Sequence, residues 1–222
     1  MDNDGYIHIT YGSHGTSQKH VKSANPYDAS SWVQLPDITS SATYPQVLEF
    51  NGTLYLFYRA GGHTADWVYR TSTDGGNTWS GETVLIDSTT TDVWYVAFRK
   101  GKDGRIHVAW VWKDETNQLG TSEPEYYQRY NVYYMYLDFD GQWKSADGTV
   151  LSLPITKSIA DTHCLVYRTD NLNPPKHCNE AVPTATENGT PFILFNYGDP
   201  VSYTHLRAHE TSLHLVCRLL LE

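Results

Sequence analysis

Two groups of side chains in this sequence have the types and spacing to do chemistry. The first is cationic. Residues 14–22 (HGTSQKHVK) are locally basic, and Arg59, His63 and Arg70 are expected near them. A cluster of His14, Lys19, Arg59, His63 and Arg70 can bind carboxylates although the formal net charge is −9, because the local field decides binding. A solvated strand edge is the plainer reading of Lys19 and Lys22, and Arg59 has Glu49 and Asp66 as alternative partners. The second group is His163-Cys164 and His177-Cys178, which flank a loop holding Pro174-Pro175. Two thiols and two imidazoles are a tetrahedral zinc set in chemical type. Neighbours on an extended strand point to opposite faces, so one histidine would serve beside a ligand from elsewhere. A Cys164–Cys178 disulfide in an exported protein and two free thiols are the alternatives.

The elements that must position these groups are strands. Tyr (17) and Trp (7) are abundant while Met (2) is scarce, as suits an all-β chain punctuated by Gly, Pro, Asn and Asp. A unit of roughly 40–50 residues recurs, within the range of propeller blades. Each copy carries a turn and strand: Asp4-Gly5 to Ile9, Asn51-Gly52 to Leu56, Asp103-Gly104 to Val108, and Asn188-Gly189 to Leu194. Preceding strands read at 45–50, 94–99 and 181–186. Following strands read at 18–23, 66–72 and 130–138, and outer strands at 31–35, 79–86 and 142–151. Four sequential antiparallel strands make a blade. The expectation is an all-β, incomplete β-propeller over residues 1–200, with about three to three and a half four-stranded blades.

The octet Ser72-Thr73-Asp74-Gly75-Gly76-Asn77-Thr78-Trp79 matches the Asp-box pattern S-x-D-x-G-x-T-W, a structural hairpin turn of carbohydrate-active propellers. Asp74 can accept hydrogen bonds from the turn, the glycines can supply positive φ, and Trp79 can fold back into the blade. Residues 201–222 differ in kind. They hold no Gly, Pro, Asn or Asp and read as a short helix. This tail resembles translated sequencing-adapter read-through and is expected to be non-native. His205, His209 and His214 therefore carry no metal site in this reading, and Cys217 is set aside.

Four stretches, 4–14, 43–61, 103–114 and 131–156, resemble in order the Asp-box-related BNR-4 propellers that include the ulvan lyases. The resemblance covers most of residues 1–200. It implies cleavage of a uronate-containing acidic polysaccharide by β-elimination. Arg59 and His14 would neutralise the uronate carboxylate. Tyr44 would act as acid or base, although a Tyr-Pro pair at a strand entrance can also be plain packing. His63, Arg70 and Lys19 would add substrate contacts. A second catalytic histidine of the family falls upstream of Met1, so the chain is expected to be inactive alone. The resemblance also supports a structural zinc at His163, Cys164, His177 and Cys178. It implies an exported (secreted or periplasmic) protein that is monomeric at full length, with no organic cofactor.

Other functions are narrowed rather than removed. The acidic balance argues against general nucleic-acid binding, which needs a basic face. No stretch approaches ~18 apolar residues, so no membrane span is expected. Met1 leads straight into a turn at Asp2-Asn3-Asp4-Gly5, without a visible signal peptide. A sialidase-like hydrolase would need Glu49 or Glu180 beside a tyrosine. A glycan-binding propeller without chemistry is the third alternative.

Overall fold

The computed structural model describes residues 1–12, 14–122 and 128–198, with the backbone of Leu215–Leu219. The strands are β1 (His8–Tyr11), β2 (Thr16–Ser23), β3 (Trp32–Phe50), β4 (Thr53–Arg59), β5 (Trp67–Ser72), β6 (Thr83–Ile86), β7 (Asp92–Lys100), β8 (Ile106–Asp114), β9 (Arg129–Leu137), β10 (Trp143–Lys144), β11 (Leu165–Tyr167), β12 (His177–Ala185), β13 (Pro191–Gly198) and β14 (Leu215–Leu219). They form three antiparallel sheets. The first runs β1-β2-β3-β4-β5-β6, the second β10-β9-β8-β7 with β11 on β9, and the third β12-β13-β14. Together they make an incomplete propeller.

The first two blades share a strand. β3 pairs with β2 through its first half, up to Ala42, and with β4 from Thr43 onward. Sequence reading treats 31–35 and 45–50 as separate strands because Pro45 looks like a start. In the structure Pro45 sits at a register shift between Thr43 and Gln46, where an irregular strand tolerates the missing N–H. The outer strand expected at 142–151 shrinks to β10 and one bridge, Lys144 to Val150. The helix expected over 201–222 does not form at Leu215–Leu219, which pairs antiparallel with β13. An unpaired strand edge is a ready template for a further strand. The rest of that tail lies outside the described residues. Helix occurs instead at α1 (Lys157–Ile159) and a following π-turn, Ala160–Cys164.

Aromatic packing joins the blades. Phe57 of β4 stacks on Phe98 of β7, with centroids 4.1 Å apart. Trp67 donates its indole N–H to the Trp94 carbonyl at 2.9 Å. Gln46 of β3 receives the Phe98 N–H at 2.9 Å and reaches the Val96 carbonyl. A second cluster, with Val111, Val132, Cys178 and Phe195, joins β8 and β9 to β12 and β13. Among the described residues no helix is long and apolar enough to cross a membrane.

The octet forms the turn its composition implies. Asp74 accepts from Ser72 Oγ, Thr78 N–H and Thr78 Oγ1, and these bonds hold its carboxyl down at about 2. Gly75 and Gly76 have φ of 67° and 85°. A Cβ at Gly76 would lie 2.3 Å from the His20 ring, so this glycine is required twice over.

That His20 is fully buried and 2.9 Å from His8 Nδ1, while His8 Nε2 meets Asp2 Oδ2 at 2.9 Å. Burial first, and the neighbouring His8 second, lower the His20 pKa to about 4. The folded state therefore holds His20 neutral where an unfolded chain protonates it. Its contribution is intact above about pH 6.5 and lost as pH falls towards 4. Thermal melts are expected to lose up to about 3 kcal/mol of stability across that window. His20→Gln should flatten the slope. An equal slope in the variant would place the acid lability elsewhere.

Candidate active site

Tyr44 is the anchor of the site. Its φ is +55°, an uncommon conformation for a bulky residue and one disfavoured again before proline. The strain sits in the β3 bulge and turns the side chain out; the residue is 46% exposed. The turn between β1 and β2 is fastened to the same bulge. Gly15 N–H reaches the Ala42 carbonyl at 3.0 Å and Thr43 Oγ1 at 3.1 Å, and Thr43 Oγ1 donates to the Gly61 carbonyl at 2.9 Å. These bonds bring His14 edge-on to Tyr44, with ring centroids 5.4 Å apart and planes at 89°.

Arg59 closes the group from beneath. It ends β4, opposite Thr43 in register. Its guanidinium carbon lies 5.1 Å from the Tyr44 ring centroid, and Nη2 is 3.4 Å from His14 Nε2. Arg59 is only 1% exposed, and among the described residues its Nε and Nη1 have no hydrogen-bond partner. Neither expected carboxylate reaches it. Glu49 holds Lys100 and the Gly52 N–H, and Asp66 accepts the Ser88 N–H. A buried guanidinium with two nitrogens left unsatisfied is costly.

Tyr44 faces a cleft of about 430 Å³ lined also by Trp67, Tyr95, Arg129, Asn179 and Glu180. Inner strands of three successive blades supply Tyr44, Tyr95 and Glu180. No sequence pattern assigns a role to Trp67, Tyr95, Arg129 or Asn179, and Glu180 has one only in the hydrolase alternative. The one usable signal was the equivalence of the blades. β12 carries a register shift between Asn179 and Val182, with Glu180 at φ +53°, matching the bulge at Tyr44.

The other expected site residues are placed as follows. His63 stands at the margin, 6.4 Å from the Tyr95 ring, with Nε2 at 2.8 Å from Glu115. Lys113, buried behind it, contacts Glu115 and His63. Arg70 is committed within blade two, donating to Tyr58 Oη at 2.8 Å, the Ser80 carbonyl at 2.7 Å and Glu82 at 3.2 Å. Lys19 pairs with Asp37 at 2.5 Å, both exposed. None of these contacts brings Arg70 or Lys19 to Tyr44.

The histidine–cysteine set is not gathered. Cys164 and Cys178 are free and buried, each in a different hydrophobic cluster. Burial pushes both thiols up to about 12. Cys178 Sγ lies 3.7 Å from Thr169 Oγ1. Among the described residues no three His, Cys, Asp or Glu side chains converge. The donors present thus do not fit a shared metal. His205, His209 and His214 lie outside the described residues.

The described residues thus form an incomplete propeller with an aromatic cleft, a strained tyrosine and a buried arginine. The sequence matches the BNR repeat-containing family over residues 1–215, and the chain belongs to that family. It is 33% identical to an ulvan lyase of Alteromonas sp. (strain LOR), over 89% of this chain and 45% of that protein. A solved polysaccharide lyase PL25 ulvan lyase superposes with a TM-score of 0.74 at 30% identity, covering 89% of this chain and 50% of that one. A second structure, of a PL25 ulvan lyase bound to -[GlcA(1-4)Rha3S]-, gives 0.73 at 31%, with the same coverage. The chain spans about half the length of the relatives it matches.

Proposed function

We propose that this chain carries part of the active site of an exported lyase that cleaves a uronate-containing, ulvan-like polysaccharide by β-elimination. The observation that carries this reading is Tyr44, held in a strained conformation between His14 and Arg59 at the wall of an aromatic cleft. Elimination removes the proton from C5 of the uronate, forms the C4–C5 double bond and expels the glycosidic oxygen from C4. The C5 proton becomes acidic only when the carboxylate charge is offset, which is the role of Arg59 and His14. Arg59 is covered by Tyr44, so its charge acts from below while His14 makes the direct contact. Tyr44 exchanges protons with C5 or the leaving oxygen. Trp67 and Tyr95 give sugar rings apolar faces. Relatives named as ulvan lyases, one of them bound to -[GlcA(1-4)Rha3S]-, support the substrate class.

A sialidase-like reading is weaker. Glu49 is spent on Lys100, and Glu180 accepts from Asn196. The tyrosine–glutamate pair that does exist, Tyr58 and Glu82 at 2.6 Å, has its phenol fully buried and raised to about 12 by burial, then by Glu82.

The test follows the ultraviolet absorbance of the unsaturated uronyl end. The assay uses the polypeptide extended to the length of its relatives, with ulvan and other uronate polysaccharides. A steady rise supports elimination. A folded protein that gives no rise on any uronate polymer overturns the reading and favours a glycan-binding propeller.

A further inference from the structure

A row of hydrogen bonds crosses blade one and ends at the Asp-box turn of blade two. Asp2 Oδ1 accepts the N–H groups of Asp4 and Tyr6 at 3.1 and 2.8 Å and so shapes the N-terminal turn. Its other oxygen meets His8 Nε2 at 2.9 Å, and His8 Nδ1 meets His20 Nε2 at 2.9 Å. A carboxylate only accepts, so His8 Nε2 carries its ring's hydrogen. The second nitrogen of neutral His8 is then an acceptor, and His20 Nε2 donates to it. That leaves His20 Nδ1 as a bare lone pair, buried and without a hydrogen-bond partner among the described residues. The His20 ring lies against Gly76 and edge-on to Trp79, with centroids 5.8 Å apart.

The row has one open place for a proton, His20 Nδ1, and a proton there puts a cation into the seam between two blades. The groups around it do not offset that charge. Lys22 of β2 and the terminal amine of Met1 repel a cation in the row. Leu35 faces His20 in register from β3. Asp74 of the facing turn is committed to Ser72 and Thr78, and Asp2 lies beyond His8. Blade one can yield locally, because β3 is the strand it shares with blade two: β2 pairs with it up to Ala42, and β4 takes over at Thr43. His14 sits on the turn between β1 and β2, so motion of blade one about β3 carries His14 away from Tyr44.

We propose that the Asp2–His8–His20 row is an acid-sensitive latch, which holds blade one closed on blade two and releases it, with His14, when a proton reaches His20 Nδ1. The latch stands whatever substrate the cleft takes. Amide NMR of the full chain, titrated from about pH 7 to about pH 3.5, tests it. The Gly76 N–H, bonded to Ser72 Oγ at 2.9 Å, reports the Asp-box, and the Gly15 N–H, bonded to the Ala42 carbonyl at 3.0 Å, reports the His14 turn. Both are expected to shift together with a midpoint of about 4, while the Phe57 and Phe98 amides, in the next seam, hold their positions. His20→Gln keeps a donor for His8 and should abolish the joint shift. Imidazole nitrogen shifts of the wild type decide the matter if that variant fails to fold. His20 should then be the Nε2–H tautomer at neutral pH and titrate with the Gly15 midpoint. A Gly15 shift that persists in His20→Gln, or departs from the His20 midpoint, overturns the latch. Loss of the whole spectrum before Gly15 and Gly76 move also overturns it, since the acid response would then be global unfolding.

Discussion

In the polypeptide extended to the length of its relatives, and for the elimination proposed above, Tyr44→Phe is expected to lower turnover on uronate polysaccharide by about 10³-fold, within the range for removing a general acid or base. KM should change little, because the ring stays. Phenylalanine keeps the edge contact with His14, the face over Arg59 and the stack on Trp67 at 6.3 Å. The lost hydroxyl belongs to a residue that is 46% exposed, so stability should stay within about 0.5 kcal/mol. Alanine would be a poorer probe, since it also uncovers Arg59. The measurement is initial rate across substrate concentration, beside a thermal melt. A variant that turns over like wild type would move the proton transfer to another group. A collapsed melt would make the effect structural.

A large loss of stability is expected from Phe57→Ala. Phe57 is fully buried and stacks on Phe98 at 4.1 Å, with Tyr55, Tyr69 and Trp143 about its ring. Truncating a buried phenylalanine costs about 3–5 kcal/mol, set against a total of roughly 5–15 kcal/mol for a typical domain. The site joins blade two to blade three, so the cavity weakens the seam that carries Trp67 and the cleft. Urea melts of Phe57→Ala, Phe98→Ala and the double variant measure the coupling, expected at about 0.5–1.5 kcal/mol beyond area burial. Additive losses would mean that the rings share a core without favouring each other.

The sequence displays the fold where period and turn chemistry agree. Asn51-Gly52 has φ of 50° and 78°, the hairpin geometry its residues favour, and the strands around it fall close to expectation. It fails where local and long-range signals conflict. Pro45 reads as a strand start, but bulging lets β3 run through it. Leu215–Leu219 reads as helix, but the β13 edge pairs it. The site is legible in part for the same reason. Tyr44, His14 and Arg59 stand in stretches that resemble a family, and the structure brings all three into contact. Arg59's deep burial, and its lack of a carboxylate, depend on where Glu49 and Asp66 find other partners. Arg129 has no local pattern at all. Its position emerges only when β12 packs beside β7 and β9 and offers Asn179.

The paired bulges at Tyr44 and Glu180 have a consequence for how such a cleft changes over time. Each is a backbone socket, set by strand register rather than by the side chain it presents. A duplicated blade carries its socket with it, already aimed at the centre. Exchanging one residue there swaps a phenol for a carboxylate without redesigning the strand. New specificities on this scaffold are thus reachable by point substitution at a repeated address, while the sheets that hold the address stay fixed.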